Sequence, residues 1–524
     1  MKLGIDFGTT HTVVALVDRG NYPVVSFEGV DAVPSLVAAH EAGELLFGAE
    51  AASVRHVDGW SVLRSFKRLL NDAGPQSEVE LAGQRYLLTD LLTRFLARLK
   101  DDLVHRSNAG LSPGEELDAA VSVPANASSS QRFLTLDAYA RAGFRVTALL
   151  NEPSAAGFEY AHRFRTTITS KREYVLVYDL GGGTFDASLL RMTGRSNEVV
   201  TSEGVRRLGG DDFDEAIFEL VRDKADVELS PPQEALLLDE CVRQKEAVNP
   251  QSRRFLVDLS PMSLTPVAVP IDEVYAACAP LVERTIDAMT PALRDPRREG
   301  EEEVDWNEVA GIYIVGGAGT FPLVPRLLKE RFGDKRVKRS PHPFAATAIG
   351  LAIFLDGDAG YTLSERFSRT FGVFREAEGG GEVTFDPIFE KGTPLPAPGE
   401  PPLAVVRRYQ AAHNVGHFRF VECGRVEGGR PDGEVQPWDD FRFPFDPALR
   451  NAPDLATVPV ERAAAGPGVE ELYLVTDGGA VEVRLTVLDD GYTESFKLAR
   501  SGQAVAEVAM KPAKKGRKRP AGAV

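Results

Sequence analysis

At 524 residues, with 43% hydrophobic and 26% charged side chains, the chain is too long for one core and has the composition of globular domains. Its formal net charge of −17 argues against nucleic acid as the main partner. Cys241, Cys278 and Cys423 are too far apart for a disulfide framework or a CxxC metal pair, and no apolar run approaches the roughly 20 residues that span a bilayer.

From residue 1 to about 355 the pattern is α/β, with apolar strands alternating with helix-period segments. Ile5-Asp6-Phe7-Gly8-Thr9-Thr10, running on through His11 to Leu16, reads as strand, Asp-x-Gly turn, strand. Glycine in such a turn lets backbone N–H groups reach phosphate oxygens, because no Cβ stands in the way. Residues 3 to 5 already belong to this hairpin, so a signal peptide is not expected and a cytoplasmic location is. Lys67 follows in Ser65-Phe66-Lys67-Arg68-Leu69-Leu70. The spacing of Leu92, Phe95, Leu96 and Leu99 then predicts a helix with Asp90 as its N-cap. Ser128 to Ser130 open another helix, and Pro153, just after Asn151-Glu152, suits a helix first turn.

The same hairpin pattern returns at Tyr178-Asp179-Leu180-Gly181-Gly182-Gly183-Thr184-Phe185-Asp186, continuing to Leu189. Two such turns, heading what read as duplicated halves, can clamp a nucleotide tail and its metal from opposite sides. Leu208-Gly209-Gly210-Asp211-Asp212-Phe213-Asp214, ahead of a helix, can approach ribose or phosphates. The acidic run Glu299 to Asp305 reads as a solvated loop. Ile312-Tyr313-Ile314-Val315-Gly316-Gly317-Ala318-Gly319 leads from a buried strand to the helix at Leu323 to Arg331, and suits close approach of a nucleoside.

Beyond Asp356 the texture changes. Residues 356–366 read as a polar linker, and 367–510 as a mostly antiparallel β domain with long Pro/Gly loops. Leu472 to Val475, a turn through Asp477-Gly478-Gly479, and Val481 to Leu485 form a predicted β-hairpin. Residues 511–524 carry six Lys/Arg and no acid: a disordered basic tail, offering at most weak contact with nucleic acid or an anionic surface.

Magnesium dehydrates reluctantly, so a Mg-nucleotide site needs carboxylates that reach the metal through water. Asp6, Asp179 and Asp186 stand at turns where that is possible. Gly8-Thr9-Thr10 and Gly182-Gly183-Thr184 would hold the β and γ phosphates. Lys67 is the candidate cation for charge developing on a transferred phosphoryl group, and Glu152 a candidate for ordering metal or water.

Both hairpins, Val123-Pro124-Ala125 with Gln131-Arg132, Asn151-Glu152-Pro153-Ser154-Ala155-Ala156, the Gly209-Gly210 run and Val315-Gly316-Gly317 together resemble the seventy-kilodalton heat-shock chaperone family in order and spacing. The similarity covers about residues 1 to 355. It implies an actin-like ATPase of two lobes, built from duplicated ribonuclease-H-like halves, with ATP or ADP and Mg²⁺ in the cleft. The catalytic and metal-ordering set implied is Asp6, Lys67, Glu152, Asp179, Thr184 and Asp186, with Mg²⁺ held through water by Asp6 and Asp179. Nucleotide contacts are implied at Gly8, Thr9, Thr10, Gly181, Gly182, Gly183, Gly209, Gly210, Asp211, Lys245, Gly316 and Gly317. Pro124 and Arg132 match the family's relay between cleft and linker. Unfolded or extended polypeptides are the implied clients, with a J-domain co-chaperone and a nucleotide exchange factor as implied partners.

Departures cluster. His11 stands where the family has an aromatic residue, Ala318 and Thr320 where it has Ser and Arg, and Phe344 where it has Asp. Phosphate handling looks intact while positions for base recognition differ. The linker is polar instead of apolar. Pro387 to Pro396 resembles the start of the peptide-binding β domain, with no helical lid read after it, so the expectation is a divergent, lidless chaperone. The alternatives are a nucleotide-gated interaction module or, less favoured, a sugar kinase on the same fold, for which no sugar-binding carboxylate is identified.

Overall fold

The structure, a computed structural model, describes residues 1–497 except 206, 227, 263, 296–297, 299–302, 378–380, 398, 464 and 477. The expected basic tail, and most of the acidic run at Glu299, lie outside the described residues.

Two sheets share one plan. In the first, strands run in the order Arg145–Asn151, Asp118–Val123, Lys2–Phe7, His11–Leu16, Val33–Pro34. In the second the order is Val337–Arg339, Val309–Val315, Tyr174–Leu180, Phe185–Thr193, Ser196–Val205, then Thr362–Ser364. In each, the glycine hairpin forms the central antiparallel pair, and the strand before the turn also pairs in parallel with a later one. This is the duplication the hairpins imply. The strand Tyr174–Leu180 is buried at every position, as expected of a run of apolar residues covered on both faces.

Helices Glu152–Arg163 and Ala346–Leu355 lie between the sheets. Ala155 and Phe158 pack with Val13 and Ala120 of the first sheet, while Ala156 and Tyr160 pack with Val175 and Val177 of the second. Gly350 permits the contact between the helices, since a Cβ there would collide with the carbonyl of Ala155. Pro153 sits in the first turn as expected. The helix Ser129–Arg141 is capped by Ser128, whose side chain accepts from Gln131 N at 3.2 Å. Asp90 is not an N-cap: the helix runs Leu88–His105 behind extended Leu87, and Asp90 lies in its first turn paired with Arg141. A carboxylate there still meets the positive end of the helix dipole.

The C-terminal part is a sandwich of two four-stranded antiparallel sheets, ordered Glu382–Phe389, Thr370–Ala377, Val415–Glu427, Arg430–Pro444 and Leu403–Gln410, Gly468–Val475, Val481–Val487, Thr493–Lys497. Phe371, Phe420 and Tyr473 are among the side chains filling its core. The expected hairpin is present, with Val475 opposite Val481. Among the described residues no α-helix follows Leu355.

Residues 356–366 lie against the N-terminal fold. Thr362–Ser364 pairs in parallel with Ser196–Glu198, extending the second sheet. Backbone pairing requires no apolar side chain, so a polar segment can dock this way. Glu365 accepts from Asn151 N at 3.0 Å, and Arg366 pairs with Glu198 at 2.9 Å. The β domain adds its own contacts: Arg132 donates to Gly478 O at 3.2 Å, Gln436 to Asn71 O at 2.9 Å, and Lys391 pairs with Glu203 at 2.8 Å.

Candidate functional site

The two hairpins face each other across a cleft. Gly8 N donates to His11 O at 3.0 Å and Gly181 N to Thr184 O at 3.1 Å, closing equivalent turns. Their tips touch: a Cβ on Gly183 would stand 2.7 Å from Thr9 Cγ2, and one on Gly182 would meet Thr10. Only glycine admits this approach. Gly209 and Gly210 form the third wall, with Gly210 N donating to Gly181 O at 2.9 Å and Asp211 N to Gly182 O at 2.8 Å. On the far side Gly316, at φ +81°, packs on the second hairpin, and a Cβ there would lie 2.6 Å from Asp179 Oδ1.

Beside the turns, Lys67 is buried, donating to Glu152 Oε1 at 2.6 Å and to the carbonyl of Phe7. It lies on a short 3-10 helix, Phe66–Asp72, and Glu152 opens a helix directly after the strand ending at Asn151. Asp6 accepts from Ser122 Oγ at 2.9 Å. Asp179 and Asp186, both buried, are opposite each other in the second hairpin's register. Thr184 is half-buried in the turn.

Three carboxylates, Glu152, Asp6 and Asp179, thus surround one ammonium, with Asp186 beside Asp179, and the electrostatics follow. Burial, then repulsion from Glu152, pushes the Asp6 carboxyl up to about 6, against the pull of Lys67 and Ser122. Burial lifts Asp179 well above the carboxylate range, with Glu152, Asp6 and Asp186 adding to it. For Lys67 burial works against the charge, yet Glu152, Asp6 and Asp179 outweigh it and raise its pKa. Such an excess of negative charge fits a divalent cation. Among the described residues no group of three His, Cys, Asp or Glu could hold a metal directly.

The adjoining cavity, about 380 Å³, is lined by Thr10, Gly182, Gly210, Asp211, Lys245 and Gly317 among others. Lys245 is tied to Asp214 at 2.7 Å and to Gly210 O at 3.1 Å. The structure brings Lys67, Glu152, Asp6 and Asp179 together beside the two hairpins, with Thr10, Gly182, Gly210, Asp211, Lys245 and Gly317 lining the adjoining cavity, while Arg132 lies at the β-domain contact with Gly478. It also adds residues that the sequence did not single out. Arg68 Nη2 donates to Gly183 O at 2.6 Å and pairs with Asp212 at 3.0 Å, bracing the second hairpin. Ser65 donates to Asp211 at 2.7 Å. Nothing in the sequence distinguished Arg68 from a solvated arginine beside Lys67.

A glycine hairpin at the centre of each of two duplicated sheets, with buried carboxylates around a lysine between them, defines a two-lobed actin-like fold with a central cleft. The chain belongs to the Hsp70 family: the family model described as Hsp70 protein matches residues 2–361. Among relatives, a Chaperone protein DnaK from Thermotoga petrophila is 30% identical over 422 residues, 75% of this chain and 66% of the relative. One of the same name from Thermosipho africanus is 29% identical, over 83% of this chain and 75% of its own length. A Chaperone protein HscA homolog from Chromobacterium violaceum is 32% identical over 67% of this chain and 58% of its length. The match thus spans just under two thirds of the Thermotoga protein.

Proposed function

We propose that the chain is an ATP-hydrolysing molecular chaperone of the cytoplasm. In this reading residues 1–355 are the ATPase domain, 356–366 the connection, and 367–510 a β domain that binds unfolded or extended polypeptide. One observation carries it: the buried Lys67–Glu152 pair, 2.6 Å apart, beside two glycine hairpins that carry Asp6, Asp179 and Asp186. Backbone N–H groups of Thr9 and Thr10 and of Gly182 to Thr184 bind the β and γ phosphates, in turns closed by Gly8 N and Gly181 N. Lys67 offsets charge developing on the transferred phosphoryl group, Glu152 holds Lys67 in place, and Thr184 with Asp186 orients the attacking water. Asp179, grouped with Glu152, Asp6 and Asp186, takes the proton that water gives up. Magnesium, held through water by Asp6 and Asp179, supplies neutralisation of phosphate charge when bound. J-domain co-chaperones and nucleotide exchange factors are the partners this reading calls for.

Turnover of ATP with Mg²⁺, with and without an unfolded peptide, tests the proposal against an Asp179→Ala control. Turnover no greater than the control's removes the enzymatic reading, and turnover indifferent to peptide removes coupling.

A second reading, a nucleotide-gated module for one particular partner, is favoured by the groove of the β domain. This groove, about 990 Å³, sets Arg375, Arg407, Arg408 and Arg419 beside Phe374 and Phe418 instead of offering a wholly apolar trough. Suppression of aggregation of several unrelated unfolded proteins argues against that reading.

A further inference from the structure

The nucleotide cavity also has an apolar wall, made of Val242, Val248, Ala318, Thr320, Phe321 and Phe344. Phe344 is a large apolar side chain left 51% exposed. It lies in the turn that leads into the helix Ala346–Leu355, held by Ala345 N donating to His342 O at 2.9 Å and Gly316 N to Pro343 O at 3.0 Å. The ring is pressed against Gly317: its Cε1 is 2.6 Å, and its Cδ1 3.1 Å, from where a Cβ on that residue would be. The Cδ1–Cε1 edge of the ring is thus held against backbone that has room for it because residue 317 is glycine. A planar apolar surface, wall-mounted and partly open, faces the cavity that begins at the phosphate turns.

We propose that Phe344 is the stacking platform for the nucleobase and that this pocket selects for an aromatic base without selecting which base. This deepens the reading of the cleft as a nucleotide site and rests on it. Aromatic stacking tolerates any base, since every base has a π-face. Discrimination requires polar groups aimed at the base edge, and an apolar pocket rejects alternatives only weakly. Most polar side-chain atoms around this apolar wall are engaged elsewhere. Thr320 Oγ1 donates to Gly317 O at 2.7 Å. Lys245 is committed to Asp214 and Gly210 O. Arg55 and Arg64 both pair with Asp239 through Nη1, at 3.3 and 3.0 Å, leaving the buried Arg55 Nε as a single N–H donor that a ring nitrogen or carbonyl of any base can satisfy. His11 Nδ1 is at 3.2 Å from Thr10 Oγ1, and burial lowers its pKa, which favours the neutral ring. Glu246, exposed at the rim, is a carboxylate that can accept from the amino group of adenine, cytosine or guanine alike, so it does not separate them.

The test is equilibrium binding of Mg²⁺ with ADP, GDP and CDP to the full chain, measured by titration calorimetry so that turnover plays no part. The expected result is dissociation constants within roughly tenfold of one another, with Phe344→Ala weakening all three by a similar factor, roughly tenfold, and Phe344→Tyr restoring them. ADP bound a hundredfold more tightly than both others, or unchanged affinities in Phe344→Ala, overturns the proposal while leaving the nucleotide site standing. If none of the three binds, the reading of the cleft fails and the proposal falls with it. The comparison of bases on the wild-type chain decides the matter even if Phe344→Ala does not fold.

Discussion

The carboxylate of Glu422, on a strand of the β domain, accepts from both the backbone N–H and the hydroxyl of Ser129, at 3.3 and 2.5 Å, in the first turn of the helix Ser129–Arg141. Both residues are buried. A carboxylate at a helix N-terminus satisfies orphan donors and meets the positive end of the dipole. This contact therefore fastens the β domain to a helix whose Arg132 also reaches across, to Gly478 O, while donating to Asn151 Oδ1 at 2.5 Å.

Removing that fastening exposes its cost. In Glu422→Ala, Ser129 N loses its acceptor, the Ser129 hydroxyl keeps only Gly479 O at 3.5 Å, and Arg369, 3.9 Å from Glu422, loses a counter-charge in a buried place. The expected loss is about 2–3 kcal/mol, the penalty of leaving buried donors unsatisfied. Urea unfolding of the full chain measures it. Glu422→Gln, which keeps an acceptor for Ser129, is expected to lose less.

Lys67 carries the second prediction. Without its ammonium, Glu152, Asp6 and Asp179 crowd together uncompensated. Lys67→Met is expected to lower the ATP turnover number by about a hundredfold, typical of removing one charge-stabilising donor. ADP affinity, set mainly by the glycine turns, is expected to change much less. Single-turnover rates and ADP titration on one preparation separate the two effects.

How much of this could be read from the chain alone depends on how local each feature is. The hairpins were legible because turn, glycines and flanking apolar strands fall within a dozen residues. Lys67 and Glu152 are 85 positions apart yet meet at 2.6 Å, and only the resemblance linked them. Arg68 was invisible because its partners, Gly183 and Asp212, arrive from another lobe. The docking of Thr362–Ser364 is made by backbone groups, which side-chain patterning does not encode. Strand Gly468–Val475 inverts the obvious reading: Glu471 is fully buried while Leu472 and Leu474 are only half-buried, because Glu471 shares the inward face with Val469, Tyr473 and Val475.

A pH prediction follows from Asp214, which burial pushes up to about 6 despite Lys245 at 2.7 Å. A carboxyl with a raised pKa in the folded state binds its proton more tightly there than when unfolded. Its stabilising effect is therefore present at pH below about 4 and is lost as pH rises through about 6. With roughly 1.4 kcal/mol per unit, the loss is on the order of 2–3 kcal/mol. Unfolding free energies of wild type and Asp214→Asn, taken without nucleotide at pH 4 and pH 6.5, are expected to diverge in favour of the variant at the higher pH. An equal difference at both values would refute the assignment.

The buried Glu471 leads to the last prediction. Its carboxylate takes Arg375 at 2.7 Å, the Tyr473 hydroxyl at 2.6 Å and the Tyr409 hydroxyl at 2.5 Å, and Arg375 goes on to Asp386, which also holds Arg407 at 3.1 Å. Burial by itself would lower the pKa of Arg375, but its bond to Glu471 prevails and keeps the guanidinium charged. A pair like this is weak evidence of net stability, since desolvation offsets much of the attraction, but breaking it from one side strands a charge. Glu471→Leu is expected to cost about 3–5 kcal/mol, and Arg375→Met combined with Glu471→Leu to recover most of it. A thermodynamic cycle over the two single variants and the double, by urea unfolding, gives the coupling. Additive losses would mean that the pair acts as two independent residues. Strong coupling would mean that the wall of the β-domain groove is set by this charge network, and that its ligands meet fixed guanidinium groups rather than a deformable apolar surface.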